Sequence, residues 1–324
     1  MYAMVVHQPG ESEQLRRIDL PDPEPSPGRV VLEVKAVGCN FSDLLMVQGK
    51  YQLKPPLPFS PGSEVAGVVR AVGDDVNHVQ PGQRVMAMLD WGGYASMVAA
   101  PSEFVVPLPD FMPDEVGAAF GVAYQTAYLA LAQRAALQAG EILLVHGAAG
   151  GVGLAAVEVG RALGARVLAT AGSAEKCDVA LRHGAEVCFP VESERWVEQV
   201  REATNGRGVD VVYDPIGGKI FDQSLRCLAW CGRLVVIGFA SGEIPSLAVN
   251  RVLLKNVSVV GLNLGAYKRQ DPAALVRSLQ ELFRLYGSGA LRPEISYRLR
   301  LDQANEALAL IRERKTVGKV ILLP

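Results

Sequence analysis

The segment HGAAGGVGLAA, residues 146–156, limits the possible fold more than any other feature of the chain. It follows the apolar run EILLV and opens an alanine-rich stretch, as a turn from a strand into a helix does. Ala148, Gly150 and Gly153 fill the first, third and sixth positions of the G-x-G-x-x-G pattern, with alanine in the first. Such small residues let backbone N–H groups at a helix N-terminus approach a diphosphate. A tight turn without a ligand is the alternative.

Short apolar runs alternate with helical stretches around this segment. The alternation starts past Pro113 with the helical pattern DEVGAAFGVAYQTAYLALAQRAAL. It continues through the runs EILLV, RVLATAG, EVCFP, VDVVYD, GRLVVIG and VSVVGLN. Apolar runs buried on both faces and joined by helices predict an α/β fold with a doubly wound parallel sheet. We place this domain at residues 123–264.

The first 110 residues have a different pattern, in which short runs of period two are separated by Pro and Gly turns. This pattern predicts a mainly antiparallel β domain, shaped as a partly open barrel. After residue 264 the chain predicts a helix with Asp271 as N-cap and Pro272 at its first position, a second amphipathic helix and a terminal strand. We expect these late elements to pack on the first domain, which then comprises residues 1–122 and 265–324.

The charge balance excludes several classes of partner. The chain has 32 Lys and Arg residues against 34 Asp and Glu residues, so no bulk field attracts nucleic acid or acidic membranes. It has no apolar run near ~20 residues and no basic segment followed by an apolar run at its start, which predicts a cytoplasmic protein.

Five cysteines, an odd and scattered number, fit a reducing compartment without disulfides. Cys227 and Cys231 lie four positions apart on a predicted helix. No histidine or further cysteine is clustered with them in the sequence, so we expect buried apolar thiols there rather than metal ligands.

The end of the strand RVLATAG bears on which dinucleotide is bound. A site for NAD usually has an acidic residue there to accept a hydrogen bond from the ribose 2′-hydroxyl. Here Ala171 and Gly172 offer no acid, and Ser173 and Lys176 follow as a hydroxyl and a cation that suit a 2′-phosphate. NADPH is therefore favoured, while Glu175 keeps NAD as a second possibility. Each of Ser173 and Lys176 also has an ordinary interpretation, as an N-cap and as a surface lysine.

Five motifs in order over nearly the whole chain resemble one family. They are AVGCNFSDLLMVQGKY, PFSPGSEVAGVV, HGAAGGVG, DPIGG and GKVILLP. Together they resemble the zinc-independent branch of the medium-chain dehydrogenase/reductase superfamily, the quinone oxidoreductases and zeta-crystallin-like proteins. The resemblance implies a GroES-like catalytic domain, a Rossmann cofactor domain, a cleft between them, and a homodimer formed by edge-to-edge extension of the Rossmann sheets.

The zinc enzymes of this superfamily carry a cysteine in the segment around residues 38–43 and a histidine in a GHE motif. Here the second motif has Ser63 before Glu64, so a poor zinc ligand stands at that position and Cys39 lacks a partner. The four cysteines of a structural zinc lobe are absent from residues 90–115. We therefore expect no metal. Of the four histidines, His146 is expected to be packed or hydrogen-bonded rather than catalytic.

The resemblance also implies roles for individual residues. Asn40 would donate an amide hydrogen to substrate oxygen or cofactor, Asp43 would organise its loop, and Tyr51 would close the pocket and relay a proton. Their alternatives are a turn-capping amide, a helix-capping carboxylate and an aromatic strut. The resemblance and the glycine segment together give these cofactor-binding candidates: Thr126, Ala148, Gly150, Gly151, Val152, Gly153, Ser173, Lys176, Gly217, Ser241 and Arg314.

The leading hypothesis is an NADPH-dependent oxidoreductase that transfers a hydride to a quinone or to an α,β-unsaturated carbonyl compound. Conjugated acceptors spread the incoming charge themselves, so positioning and hydrogen bonds replace metal assistance. The alternative is an NADPH-binding module without turnover, like crystallin-like or RNA-associated relatives. The acidic balance and the absence of a basic, aromatic-interleaved patch disfavour RNA.

Overall fold

Fifteen strands and ten α-helices form over the residues that the computed structural model describes, which are 1–10, 15–193 and 195–324. The strands are β1 Tyr2–Val5, β2 Arg16–Asp19, β3 Arg29–Cys39, β4 Glu64–Val72, β5 Arg84–Met88, β6 Met97–Pro101, β7 Val105–Pro107, β8 Ile142–Val145, β9 Arg166–Ala171, β10 Val187–Pro190, β11 Val209–Asp214, β12 Leu228–Val236, β13 Ser258–Gly261, β14 Ile295–Arg300 and β15 Lys319–Leu323. The helices are α1 Phe41–Val47, α2 Asp114–Tyr128, α3 Gly151–Ala162, α4 Ala174–Arg182, α5 Trp196–Ala203, α6 Gly218–Cys227, α7 Asn250–Lys255, α8 Leu264–Gln270, α9 Pro272–Gly287 and α10 Ala304–Arg312.

The chain divides into two units, Met1–Val122 with Pro293–Pro324, and Ala123–Arg292. In the first unit β14-β15-β3-β4-β5-β7 form a sheet, and β6 pairs with β3 in addition. All of these pairings except the parallel β14–β15 pair are antiparallel, which confirms the mainly antiparallel prediction. Alternating Val and Leu side chains of β3 and β4 build the core of this unit.

The second unit is a six-stranded sheet in the order β10-β9-β8-β11-β12-β13. Every pairing in it is parallel, which confirms the doubly wound prediction. β8 and β11 are buried along their whole length, as strands covered by helices on both faces must be. Because the sheet is parallel, the loops that follow β8, β9 and β11 all leave it at the same edge.

The helix α9 begins as predicted, since the Asp271 carboxylate accepts from the Ala274 N–H across 3.0 Å and Pro272 is the first helical residue. Its position differs from the prediction, because residues 265–292 group with the parallel-sheet unit. The buried Gln125 amide donates to the Leu275 carbonyl at 2.8 Å and to Ser278 Oγ at 2.9 Å, which attaches α9 to α2. The elements from Pro293 onward lie in the first unit.

Cys227 and Cys231 do not share a helix, because α6 ends at Cys227 and β12 starts at Leu228, which pairs with Val209. Cys227 is buried but Cys231 is exposed, so the expectation of two buried thiols is wrong for Cys231. Residues 11–14, which belong to the N-terminal segment of the targeting prediction, and Glu194, which precedes α5 in the sequence, lie outside the described residues. Within the described chain no helix is both long and apolar enough to cross a membrane.

Candidate active site

The glycine segment forms the corner between β8 and α3, as its pattern predicts. Gly150 is the N-cap of α3 and provides no side chain to cap the first turn. Gly147 has a φ of +59°, and a Cβ on Gly153 would lie 2.1 Å from the Gly147 carbonyl oxygen, so only glycine allows the helix to approach the strand this closely. The Ala148 N–H donates to the Thr170 carbonyl at 3.0 Å and ties the corner to β9.

This corner has the features of an anion site. Gly150, Gly151 and Val152 are partly exposed. The first N–H groups of a helix have no partner inside it, and the helix dipole adds positive potential at this end. Because α3 has twelve residues and no side chain caps its start, its N-terminus can receive a phosphate oxygen.

His146 lies buried beneath the corner and is neutral. Its Nδ1 is 2.7 Å from Thr170 Oγ1 and its Nε2 is 2.7 Å from Ser224 Oγ. The Ser224 hydroxyl donates to the Ile220 carbonyl, so Nε2 carries the proton and Nδ1 accepts from Thr170. Burial lowers the pKa of His146 to about 3. The expectation that this histidine is packed and hydrogen-bonded is confirmed.

Ser173 and Lys176 lie in the first turn of α4, directly after β9. Ser173 Oγ accepts from the Lys176 N–H at 3.4 Å, so the serine acts as the N-cap. The same hydroxyl donates to the Glu175 carboxylate and lowers the pKa of that exposed acid. A cation, a hydroxyl and a carboxylate therefore lie together at this helix start. The choice between NADPH, bound by Ser173 and Lys176, and NAD, bound by Glu175, is not decided by these contacts.

The loop after β11 meets the loop after β12. The Ser241 N–H donates to the Ile216 carbonyl at 2.9 Å, and the Gly218 N–H donates to the Glu243 carbonyl at 3.1 Å. Gly217 has a φ of +71°, and its N–H donates to Asp214 Oδ1 at 3.1 Å. The structure thus brings Gly217 and Ser241 together, and their assignment to the cofactor stays a prediction. Thr126 is buried in α2 of the same unit.

In the first unit, Asn40 is the N-cap of α1 and is almost fully buried. Its Oδ1 accepts from Lys319 Nζ at 2.6 Å, and its Nδ2 donates to Glu64 Oε1 at 2.9 Å. A weaker contact of 3.4 Å joins Nδ2 to the Gly38 carbonyl. Both the oxygen and the nitrogen of the amide are therefore hydrogen-bonded inside the protein. Of the two amide hydrogens, one is bound only weakly, by the Gly38 carbonyl.

Asp43 is fully buried at the third position of α1. Its Oδ2 accepts from the Asn40 N–H at 2.8 Å and from the Tyr94 hydroxyl at 3.3 Å. Its Oδ1 has no hydrogen-bond partner among the described residues. Burial raises the pKa of Asp43 to about 7. Tyr51 is half-buried against the same core, and its pKa is raised by burial and then by the Asp43 charge.

Arg314 follows the C-terminus of α10 in the first unit, where it is exposed and has a φ of +54°. It belongs to a different unit from the other cofactor-binding candidates. Its assignment to the cofactor stays a prediction.

Comparison with known proteins gives consistent results. The family model described as "Alcohol dehydrogenase GroES-like domain" matches residues 26–110, and the one described as "Zinc-binding dehydrogenase" matches residues 151–281. Quinone oxidoreductase-like protein 2 of Rattus norvegicus is 38% identical over 297 residues, covering 91% of this chain and 85% of the rat protein. Quinone oxidoreductase of Sus scrofa is 34% identical over 326 residues, covering 100% of this chain and 98% of the pig protein.

Escherichia coli quinone oxidoreductase, whose structure was solved in complex with NADPH, matches with a TM-score of 0.93 and 31% identity over the whole of both chains. The chain belongs to the quinone oxidoreductase branch of the medium-chain dehydrogenase/reductase superfamily. Its two units are accordingly a GroES-like domain and a Rossmann domain.

In this oxidoreductase, Ser63 stands where the zinc enzymes of the superfamily carry a histidine ligand, and Cys39 lies in the segment where they carry a cysteine. The Ser63 hydroxyl oxygen is buried without a hydrogen-bond partner among the described residues. Burial raises the pKa of the Cys39 thiol to about 12. Within the described residues, no group of three or more His, Cys, Asp or Glu side chains is placed to hold a metal ion.

Three residues at these sites escaped the sequence reasoning. In the sequence, Glu64 stands out only as part of a motif, and Lys319 only as part of the terminal strand. The two lie 255 positions apart, and they come within 2.7 Å because β3 pairs with both β15 and β4. Asp214 was missed as well, although its place at the end of a buried strand was a usable signal. Its carboxylate organises the turn at Ile216 and Gly217.

Proposed function

We propose that the protein is an NADPH-dependent oxidoreductase that delivers a hydride to a quinone or to the β-carbon of an enone or enal, without a metal. The observation that supports this most is the start of α3, where Gly150 leaves the first N–H groups without a side-chain cap and residues 150–152 are partly exposed. The NADPH complex of the similar Escherichia coli quinone oxidoreductase supports the choice of cofactor.

The Rossmann unit would hold the cofactor through its loops at one sheet edge. The N–H groups of Gly151, Val152 and Gly153 would bind the pyrophosphate. Ser173 and Lys176 would bind the 2′-phosphate, for which an ammonium and a hydroxyl supply charge-assisted hydrogen bonds. The remaining contacts to ribose and nicotinamide would come from Thr126, Ala148, Gly217 and Ser241, and Arg314 is kept as a further phosphate ligand.

NADPH, when bound, supplies the hydride. Tyr51 is partly exposed, and its phenol would donate a hydrogen bond to the substrate oxygen as that oxygen becomes negative. Asn40 would donate through the N–H that is only weakly engaged by Gly38. Asp43 is too deeply buried to touch a substrate, and its role is to hold the start of α1 through the Asn40 N–H.

The metal-free mechanism rests on the chemistry of the side chains. The Lys319 ammonium lies 2.6 Å from Asn40 and 2.7 Å from Glu64, and its charge opposes a cation beside these groups. Without a Lewis acid, an ordinary ketone lacks polarisation, whereas a quinone or enone spreads the charge by conjugation. We therefore expect conjugated acceptors and not simple ketones.

We also propose a homodimer formed through the Rossmann unit. β13 is an edge strand of its sheet, and α7 beside it exposes Leu253 and Leu254, with Val249 just before. A paired copy of β13 would extend the sheet and satisfy the open edge.

The test is NADPH oxidation by the purified protein with a panel of quinones, enones, enals and simple ketones, together with zinc analysis. Turnover with conjugated acceptors alone, without zinc, is expected. Tight NADPH binding with no turnover of any acceptor would favour the non-catalytic module instead. One tightly bound zinc per chain would refute the metal-free mechanism.

A further inference from the structure

Lys319 is a buried ammonium with a complete set of partners. Its side chain is 5% exposed and its Nζ lies near three acceptors. These are Asn40 Oδ1 at 2.6 Å, Glu64 Oε1 at 2.7 Å and the Cys39 carbonyl at 3.0 Å. An ammonium has three hydrogens to donate, so all three are used.

The Glu64 carboxylate is equally enclosed. Besides Lys319, its Oε1 accepts from Asn40 Nδ2 at 2.9 Å, and its Oε2 accepts from the Val122 N–H at 2.8 Å. The side chain is fully buried. Two opposite charges without exposure are tolerated only because they compensate each other and are hydrogen-bonded.

These two charges fix how the Asn40 amide is turned. Its oxygen points to the ammonium and its nitrogen to the carboxylate. Turning the amide over would place NH2 against NH3+ and oxygen against carboxylate, which exchanges two attractions for two repulsions. The remaining donor of Asn40 is therefore its second amide N–H, which is held by the 3.4 Å contact with the Gly38 carbonyl.

We propose that Lys319 is a positioning residue, which acts with Glu64 to keep the Asn40 amide turned so that it offers a donor to the carbonyl oxygen of a quinone or enone. This inference rests on the proposed function. It differs from a purely structural role, in which Lys319 would only neutralise Glu64.

The decisive variant is the double substitution Glu64→Gln with Lys319→Met, which removes both charges at similar volume. A neutral pair of this kind often folds as well as the ion pair it replaces. The glutamine amide introduced in this variant can donate or accept, so it no longer dictates the orientation of Asn40. The single variant Lys319→Met leaves the buried Glu64 carboxylate without its counter-charge and is expected to be unstable. The double variant is therefore the one used for the test.

We expect the double variant to fold and to bind NADPH within twofold of wild type, while kcat with a quinone falls at least tenfold. The second readout is NMR of the Asn40 side-chain NH2 group in the NADPH complex, assigned from its loss in Asn40→Ser. In wild type one of its hydrogens should exchange slowly with solvent, and in the double variant this protection should be lost. Lys255→Met serves as control, because that ammonium lies in the other unit, far in sequence from the Asn40 loop, and donates to the Leu225 carbonyl there.

A double variant that folds and keeps both kcat and the protected Asn40 hydrogen would overturn the proposal. So would a wild-type Asn40 NH2 group that exchanges freely. If wild type binds NADPH but turns over no acceptor, the proposed function fails, and the NMR comparison alone then decides whether Lys319 orients Asn40.

Discussion

The backbone N–H of Asn40 donates to Oδ2 of Asp43 across 2.8 Å, and the Tyr94 hydroxyl donates to the same oxygen at 3.3 Å. Both bonds favour the ionised carboxylate, yet burial outweighs them and raises the pKa of Asp43 to about 7. The unpartnered Oδ1 is part of the reason, because it loses water and gains nothing within the described chain. A buried acid in the catalytic domain therefore titrates near neutral pH.

This pKa predicts a stability change with pH. An unfolded aspartate has a pKa of about 3.9, so between about pH 4 and 7 the folded chain holds a proton that the unfolded chain releases. The contribution of Asp43 to stability is present at low pH and is lost as pH rises from about 4 to 7. Thermal unfolding at pH 5, 6, 7 and 8 should show Asp43→Asn gaining stability relative to wild type up to pH 7 and levelling off above it.

The comparison with Asp43→Asn removes the contributions of other titrating groups, since these are the same in both proteins. The substituted asparagine side chain keeps the shape of the protonated acid and can still accept from the Asn40 N–H. A difference in melting temperature that stays constant from pH 5 to 8 would contradict the raised pKa.

The sequence was sufficient wherever a local rule decides the structure. The β8–α3 corner could be predicted because glycine spacing, an apolar strand and a helix start lie within twenty residues. Asp271 and Pro272 predicted the start of α9 in the same way. These features depend on contacts a few residues apart, which are legible in a single sequence.

The sequence was insufficient where contacts join distant segments. Lys319 and Cys39 lie 280 positions apart, and only the pairing of β15 with β3 brings the ammonium to the α1 loop. The amphipathic pattern of α9 shows that one face is buried but not which unit buries it, and Gln125 settles that through Ser278. The site's electrostatics were therefore not predictable, although its glycine corner was.

Lys176 should determine the preference for NADPH. A hydrogen bond to a charged group contributes about 1.5–3 kcal/mol, so Lys176→Ala should weaken NADPH binding by roughly 10- to 100-fold. NADH lacks the 2′-phosphate, and its affinity should change little. Fluorescence titration of both cofactors measures the two dissociation constants.

The matched control is Arg182→Ala, which removes an exposed cation from the last turn of the same helix. It should leave both affinities within about twofold. Equal affinity of wild type for NADPH and NADH, unchanged in Lys176→Ala, would reject the phosphate assignment and favour a site in which Glu175 binds the ribose.

The apolar surface at α7 should control assembly. Leu253 and Leu254, in the helix that precedes the edge strand β13, are 79% and 75% exposed. Adjacent exposed leucines of this kind mark a surface that another protein chain can cover. Charges placed there would oppose the burial of a partner copy, so Leu253→Glu with Leu254→Glu should give a monomer by light scattering after gel filtration. Leu181→Glu, at another exposed apolar position, should stay dimeric. A monomeric wild type, or a dimeric double variant, would exclude this surface as the interface.

The last prediction concerns Glu158, a buried carboxylate that connects four parts of the Rossmann unit. Its Oε2 accepts from the Tyr124 hydroxyl at 2.7 Å and from the Arg292 N–H at 2.9 Å, and its Oε1 lies 2.5 Å from His183 Nδ1. Glu158→Gln keeps the volume but replaces one acceptor oxygen with a donor NH2, so either one of the three contacts is lost or the His183 ring must change tautomer to accept from the new amide. The free energy of unfolding should fall by about 1–3 kcal/mol in urea denaturation.

Because Arg292 follows α9, the same substitution should increase hydrogen exchange in α9 before it affects β8 or β11, which are buried throughout. Glu202→Gln on the exposed surface of α5 is the control and should change stability by less than about 0.5 kcal/mol. If Glu158→Gln is as stable as this control, the carboxylate does not hold these elements together, and the Tyr124 and Arg292 contacts contribute nothing to the attachment of α9.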